Sequence, residues 1–336
     1  MLPALSILDQ STVVSGRSAA DAIQETLATA RLADELGYRR YWLAEHHNSE
    51  SHAGSAPEIL IAAIAATTRR IRVGSAGVML PHYSALKVAE QFRALEAIAP
   101  GRIDLGLGRA PGSDGRTAHA LNPNAASAAD HFPAQIRDLL GWLGDGLPEG
   151  HPFRAVRASP QVETRPEAWV LGSSDYGAQV AAFFGLPYCF AHFITDGRGA
   201  AEALSLYRET WRGAGQPHGA VAVYALAADS TAEAERLFLP RALWRLHRDR
   251  GHYPPLPTAE EAEAHPWTEA ERVRADRMRE TALIGTADQV RDGIATLAAR
   301  LGVAEVAVLT PCHDAAARRR SITLLAQAFA QVPAAA

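Results

Sequence analysis

Cysteine is nearly absent. The 336-residue chain has two, Cys189 and Cys312, too few for a disulfide framework and in keeping with a reducing cytoplasm. Long apolar runs are missing too. Hydrophobic residues make up 48% of the chain, yet no uninterrupted stretch reaches the roughly 20 residues of a membrane span. The start, Met1-Leu2-Pro3-Ala4-Leu5-Ser6, has no basic segment or apolar core of an export signal. The expectation is therefore a soluble, cytoplasmic protein. A dominant charge of one sign is lacking: the net charge is −4 with both signs interspersed, which argues against nucleic acid as a partner. The basic triplet Arg318-Arg319-Arg320 reads as the solvated face of a late helix. No HxH or HExxH spacing occurs, so no metal site is expected, although His46, His82, His192 and His313 could approach one another.

What the chain does have is a recurring unit. An alanine-rich helical segment ends at a glycine, and a short apolar strand follows. Leu36-Gly37 precedes Tyr41–Ala44, Pro100-Gly101 precedes Ile103–Leu107, Phe184-Gly185 precedes Tyr188–Ala191, and Leu301-Gly302 precedes Val306–Leu309. Glycine just past a helix end takes the left-handed cap conformation. Further strands fall near Leu5–Leu8, Ile71–Val78, Trp169–Leu171 and Val221–Ala227. Eight strands, each followed by a helical segment, imply parallel pairing with right-handed crossovers. In about 250 residues plus insertions this is the arithmetic of a (β/α)8 TIM barrel, here a single domain spanning 1–336. The strands lack strict alternation, as expected when both faces are covered. A doubly wound dinucleotide fold is the rival, through Gly106-Leu107-Gly108-Arg109-Ala110-Pro111-Gly112. That fingerprint must open a helix directly; here Pro111, Gly112, Gly115 and Pro123 follow, and no helix is expected before about Ser127. Two insertions stand out, one after strand 4 and one over 248–279. The second reads equally as a pocket wall or as a solvated excursion.

In a barrel the pocket lies at the carboxyl ends of the strands. Several of those ends carry chemistry. Tyr41-Trp42-Leu43-Ala44 stops on Glu45-His46-His47, charged groups that need solvent, a ligand or each other. His46, with an unperturbed pKa near about 6.5, suits proton transfer, although a lone histidine is more often structural. His47 and Glu45 should share the opposite side. Gly77, after Ala76, and Gly108 would let a flat ring approach the backbone, or would mark strand bulges. Gly172-Ser173-Ser174-Asp175-Tyr176-Gly177 opens a helix over Ala178–Phe184. Its serines could cap that helix or, with the free amides, hold a phosphate. Arg109 could add a charge-assisted bond or stack on a planar ring. Trp244, Tyr253 and Trp267 could line a pocket under the second insertion, or simply pack.

Taken together, Ala44-Glu45-His46-His47, the run Gly101 to Arg109, the Gly172-Ser173-Ser174 turn and Ile284-Gly285-Thr286-Ala287-Asp288-Gln289-Val290 resemble the bacterial luciferase-like flavin monooxygenases. Val78-Met79-Leu80-Pro81-His82, Leu86 to Phe92 and Gly108 to Gly112 look most like the MsnO8-type branch. The likeness runs from Leu5 to about Ala328. It implies a barrel binding reduced FMN at its carboxyl face, O2 as co-substrate, a flavin C4a-hydroperoxide that oxygenates a small organic substrate, a separate NAD(P)H:flavin reductase and a homodimer. It also implies His46 as the active-site histidine. Ala76-Gly77 would be a bulge, often a non-proline cis peptide, under the flavin. Gly108 would sit beside its reactive carbon, where luciferase has cysteine, and Ser173, Ser174 and Tyr176 would lie at the phosphate turn. Thr286-Ala287-Asp288-Gln289 reads independently as a capping box. The alternatives are an F420-dependent oxidoreductase of the same superfamily and a non-catalytic flavin-binding barrel.

Overall fold

The computed structural model describes residues 2–144 and 146–330. Its strands are β1 (Ala4–Asp9), β2 (Arg40–Leu43), β3 (Arg72–Met79), β4 (Ile103–Gly108), β5 (Glu167–Gly172), β6 (Tyr188–Ala191), β7 (Gly219–Ala228), β8 (Leu283–Thr286) and β9 (Glu305–Leu309). Pairing runs from β1 through β7 in order, then to β9 and back to β1, parallel throughout. Eight strands thus close a barrel at the eight expected places. Glycines 37, 101, 185 and 302 all have positive φ, between 64° and 81°. Gly37, Gly185 and Gly302 stop their helices as expected, whereas the helix Ala85–Ile98 already ends at Ala99, ahead of Pro100, and Gly101 turns the chain after it.

The extra strand, β8, follows from the length of β7. The first half of β7 pairs with β9, and its last four residues, Ala225–Ala228, extend past the barrel and pair with Leu283–Thr286. The sequence marked this segment only as a helix start. The Thr286–Gln289 capping box is indeed present on the helix Ala287–Leu301.

Side chains that alternate along each strand divide into two populations. One packs outward against the helices, for example Leu5, Ile7, Val73, Leu105 and Val306. The other fills the barrel: Leu8, Trp42, Trp169, Cys189, Ala222 and Leu309. Below these, at the amino ends of the strands, the interior is ionic. The Arg40 guanidinium lies 2.9 Å from both Asp104 oxygens, 2.6 Å from Glu167 and 2.8 Å from Glu305. Trp42 Nε1 donates to Asp104 at 2.9 Å, Arg72 Nε to Asp104 at 2.7 Å, and Ser6 to Glu305 at 2.6 Å. Burial alone would raise the Glu305 pKa, but His218, Arg40, Ser6 and Arg39 hold it down to about 2. Such a cluster persists only because every charge is paired.

Two expectations are corrected, and the insertion left open between a pocket wall and a solvated excursion takes form. A helix does precede Ser127: Gly115–Leu121, capped by Asp114, which accepts from the amides of Arg116 and Thr117. Asp114 is a strong N-cap type, a signal outweighed in the sequence by the surrounding glycines and prolines. The glycine run still does not enter that helix, because Arg109–Asp114 intervene. Arg318 is not solvated. It is 7% exposed and lies 3.0 Å from buried Asp9, which also accepts from the Tyr41 hydroxyl; Arg319 and Arg320 pair with Glu25 and Asp229 at 2.6 Å. The 248–279 insertion is not open coil either. It holds two helices, Ala259–Ala264 and Glu269–Thr281, each begun by a threonine capping box. Arg236–Glu263 (2.9 Å) and Arg279–Glu235 (2.7 Å) clamp them to the helix Thr231–Asp249.

Candidate active site

Small residues at the carboxyl ends of the strands leave the top of the barrel open. A cavity of about 1560 Å³ lies there, and His46, Ala76, Gly77, Gly108, Arg109, Gly172, Ser173, Ser174 and Tyr176 all border it. Sites for drug-sized ligands usually occupy about 300–1,000 Å³, so this one has room for a large cofactor and a second molecule.

Its floor is set by backbone contact. The Ala76-Gly77 peptide is cis, and the β3–β4 register shifts between Ser75 and Val78. A Cβ on Gly77 would lie 2.7 Å from the Gly106 carbonyl oxygen and 2.8 Å from Leu171 Cδ1. A Cβ on Gly106 would come within 2.1 Å of the Ser75 oxygen. Only glycine permits this approach, and it leaves a flat surface of peptide facing the cavity. A Cβ at Gly108 would lie 3.3 Å from the Met79 sulfur and 3.7 Å from the Val78 carbonyl oxygen.

Beyond β2 the chain divides its polar residues between two sides. Glu45 is buried and fully engaged: it accepts from the Tyr83 hydroxyl at 2.6 Å and the Met79 amide at 3.1 Å, and bonds His47 Nε2 at 2.7 Å. His47 and Glu45 therefore share one side, as expected, and anchor the loop after β3. His82 bonds the Pro111 carbonyl at 2.7 Å, fixing the neighbouring loop. His46 faces the cavity. Its amide donates to the Gly54 carbonyl at 2.8 Å, while buried Nδ1 has no partner. Burial, opposed by Glu45 and reinforced by His47, lowers its pKa to about 4. At neutral pH His46 is thus an uncharged imidazole able to take a proton.

His52 was missed by the sequence reading. Its ring stacks on His46, with centroids 4.4 Å apart and planes 21° apart. Ser49 and Ser51 hold its Nδ1 at 3.1 and 3.2 Å. No short-range spacing marks it, since the loop after Ala44 is irregular; its position depends on the isolated bridge between His52 and Thr12.

On the far side, the helix Asp175–Phe184 points its amino end at the cavity. Ser174 is its N-cap, but the hydroxyl makes no cap bond. The Tyr188 hydroxyl donates to the Ser174 carbonyl at 3.0 Å, holding the turn. Arg109 lies 4.1 Å above the Tyr176 ring, which places a fixed cation beside uncommitted hydroxyls and free amides. Trp244 and Tyr253 border the cavity too; Trp267 does not, because its indole is turned to the Ala262 carbonyl at 2.9 Å. Ala191 lines the cavity, as do Phe193 and Ile194 of the short helix that His192 begins, whereas His192 itself does not. Among the described residues no group of His, Cys, Asp or Glu is arranged to hold a metal, and no helix is long and apolar enough to cross a membrane.

The sequence model for luciferase-like monooxygenases matches residues 5–305. The chain belongs to that family. Over 329 residues it is 37% identical to the N-acetyl-S-alkylcysteine monooxygenase of Bacillus subtilis, covering 96% of this chain and 97% of the relative. The crystal structure of apo-MsnO8 superposes with a TM-score of 0.89 at 38% identity, covering 99% of both chains. A more distant family structure shares the fold: the oxygenating constituent of 3,6-diketocamphane monooxygenase from a Pseudomonas putida plasmid, in complex with FMN. It has a TM-score of 0.74 at 21% identity and covers 97% of each chain.

Proposed function

We propose that the protein is an FMN-dependent monooxygenase that receives reduced FMN from a separate NAD(P)H:flavin reductase and transfers one oxygen atom of O2 to a small organic substrate, the other leaving as water. The observation that carries this reading is the pairing, in one cavity, of a side-chain-free floor with an uncommitted anion turn. Ala76-Gly77 and Gly108 would hold the flat ring, and the Ser173 and Ser174 hydroxyls, the helix amides and Arg109 would hold its phosphate, with Tyr176 supporting the arginine. Bound there, the flavin supplies the electrons and the oxygen activation; the protein supplies orientation and a dry wall. Neutral His46, on the wall, is placed to accept or return a proton; its buried Nδ1 is closed to the cavity, which leaves Nε2 for that exchange. The substrate in the name of the Bacillus subtilis relative and the roomy cavity support a small thioether as a first substrate class to screen.

The test is oxygen transfer. Purified protein, FMN, NAD(P)H and a flavin reductase are incubated under 18O2 with a thioether panel, and the products are read by mass spectrometry. One 18O per product supports the reading. Absence of FMN affinity combined with binding of F420 would replace it with the F420 reading, and tight FMN retention without turnover on a broad panel would leave a binding protein.

Assembly as a homodimer belongs to the same proposal. The helix Pro57–Thr67 is apolar almost all round, and its Ile59 is 66% exposed. A second copy would cover that face; sedimentation at micromolar concentration reads it directly.

A further inference from the structure

The cavity has a second side that the flavin reading does not use. It is built by the end of the helix Thr231–Asp249 and the segment after it, through Trp244, Arg248 and Tyr253. Trp244 is pinned by its indole N–H, which donates to the Pro254 carbonyl at 2.9 Å. Its ring meets His52 edge-on, with centroids 5.6 Å apart and planes at 90°, and His52 in turn stacks on His46. Three rings thus form one continuous wall from the proton-handling histidine to the insertion. Such a wall favours an apolar, polarizable body, an aromatic or thioether group.

At the end of that wall stands Arg248. Among the described residues its guanidinium bonds Asp249 alone, at 3.3 Å, and Arg274 also holds Asp249 at 3.2 Å. A guanidinium carries five N–H donors, and Arg248 borders the cavity, so donors remain open for a ligand there. The other arginine on the cavity wall, Arg109, is committed to the Tyr176 face beside the anion turn. The nearby carboxylates differ in standing. Asp114 accepts from Asn48, Thr117 and the backbone, Glu45 is buried in its own bonds, and Glu50 is exposed on its loop.

We infer that this side is the organic-substrate subsite and that it takes a carboxylate-bearing molecule with an aromatic or thioether body, the body lying on His46, His52 and Trp244 and the carboxylate meeting Arg248. The inference deepens the monooxygenase reading and rests on it for the meaning of "substrate", but its geometry stands without turnover.

The test is therefore binding. The probes are 3-(benzylthio)propanoate and its uncharged amide, titrated calorimetrically into the flavin-free protein and into Arg248→Met and Trp244→Ala, with FMN titrated in parallel. The expected result is an acid that binds the wild type about tenfold or more tighter than the amide, in keeping with a charge-assisted bond. Arg248→Met should erase that preference while leaving the amide affinity within about twofold. Trp244→Ala should weaken both probes. Equal binding of acid and amide by the wild type, a preference that survives Arg248→Met, or no probe binding at all overturns the subsite. If FMN binds normally in that event, the subsite alone has failed; if the probes behave as expected and FMN does not bind, the flavin reading has failed instead. Thermal melts confirm that each variant is folded.

Discussion

Replacing Ser173 and Ser174 together by alanine tests the flavin site most directly. The double variant removes two hydroxyls that border the cavity and leaves the fold's own contacts intact. The Ser174 hydroxyl makes no helix-cap bond, and the turn is held through the Ser174 carbonyl and the Tyr188 hydroxyl, which the substitution keeps. Loss of stability should stay below about 0.5 kcal/mol, as for a surface change away from any cap. A hydrogen bond to a charged acceptor contributes about 1.5–3 kcal/mol. Removing both hydroxyls should weaken FMN by about 2–4 kcal/mol once shared geometry is allowed for, about 30- to 1,000-fold in Kd. Riboflavin lacks the phosphate and should change by less than about threefold, far under one such bond. Fluorescence quenching of each flavin against wild type and variant supplies the four constants needed. Equal weakening of FMN and riboflavin would refute a phosphate at this turn, and so would an unchanged FMN constant.

Other outcomes follow from the same structure. His46→Gln should keep FMN affinity within about threefold, since no charge-assisted bond is removed, and lose most turnover; equal turnover would remove His46 from the chemistry. The same variant should reduce the slope of stability against pH without abolishing it, since burial lowers the pKa of His52 and His192 as well. With a folded pKa of about 4 against 6.5 unfolded, the unfolded chain binds the extra proton in between, so stability is full above about pH 6.5, falls as pH drops and levels off below about 4, a loss of about 3 kcal/mol. Melting curves from pH 8 to 4 measure it. Arg40→Met removes the cation shared by buried Asp104 and Glu305, leaving only Arg72 near the first and Arg39 and His218 near the second, and should cost up to about 3–5 kcal/mol, seen as a lower urea midpoint. Ile59→Glu should give a monomer that retains FMN binding; an unchanged sedimentation coefficient would place any dimer contact elsewhere.

The barrel was legible because it is written locally. Glycines 37, 185 and 302 stop helices by backbone sterics, Pro100 does so before Gly101, and the strands after them are apolar runs with nothing else to be. The cavity residues were legible for a related reason: each sits at a strand end, so one topological rule gathers His46, Gly108 and Ser173 without knowledge of their contacts. What was hidden depends on long-range pairing. Arg318 looked solvated because its neighbours are arginines, yet Asp9, at the other end of the chain, neutralises it. β8 was hidden because its partner is an overhang of β7 and not the barrel. His52 was hidden because an irregular loop sets its position. The ionic cluster did leave a trace: Arg40, Glu167 and Glu305 each open an apolar strand, an expensive position for a charge unless the barrel brings them together.

That cluster also makes the barrel a blind well. Arg40, with Asp104, Glu167 and Glu305, fills the lower end beneath Trp42 and Trp169, so among the described residues the cavity opens toward the rim, where Arg109 and Trp244 stand. A guest on the floor must arrive before one nearer the rim and depart after it. Under the proposed reading, the carrier of electrons boards first and the oxidised product disembarks first, an obligatory queue that product-inhibition patterns would reveal.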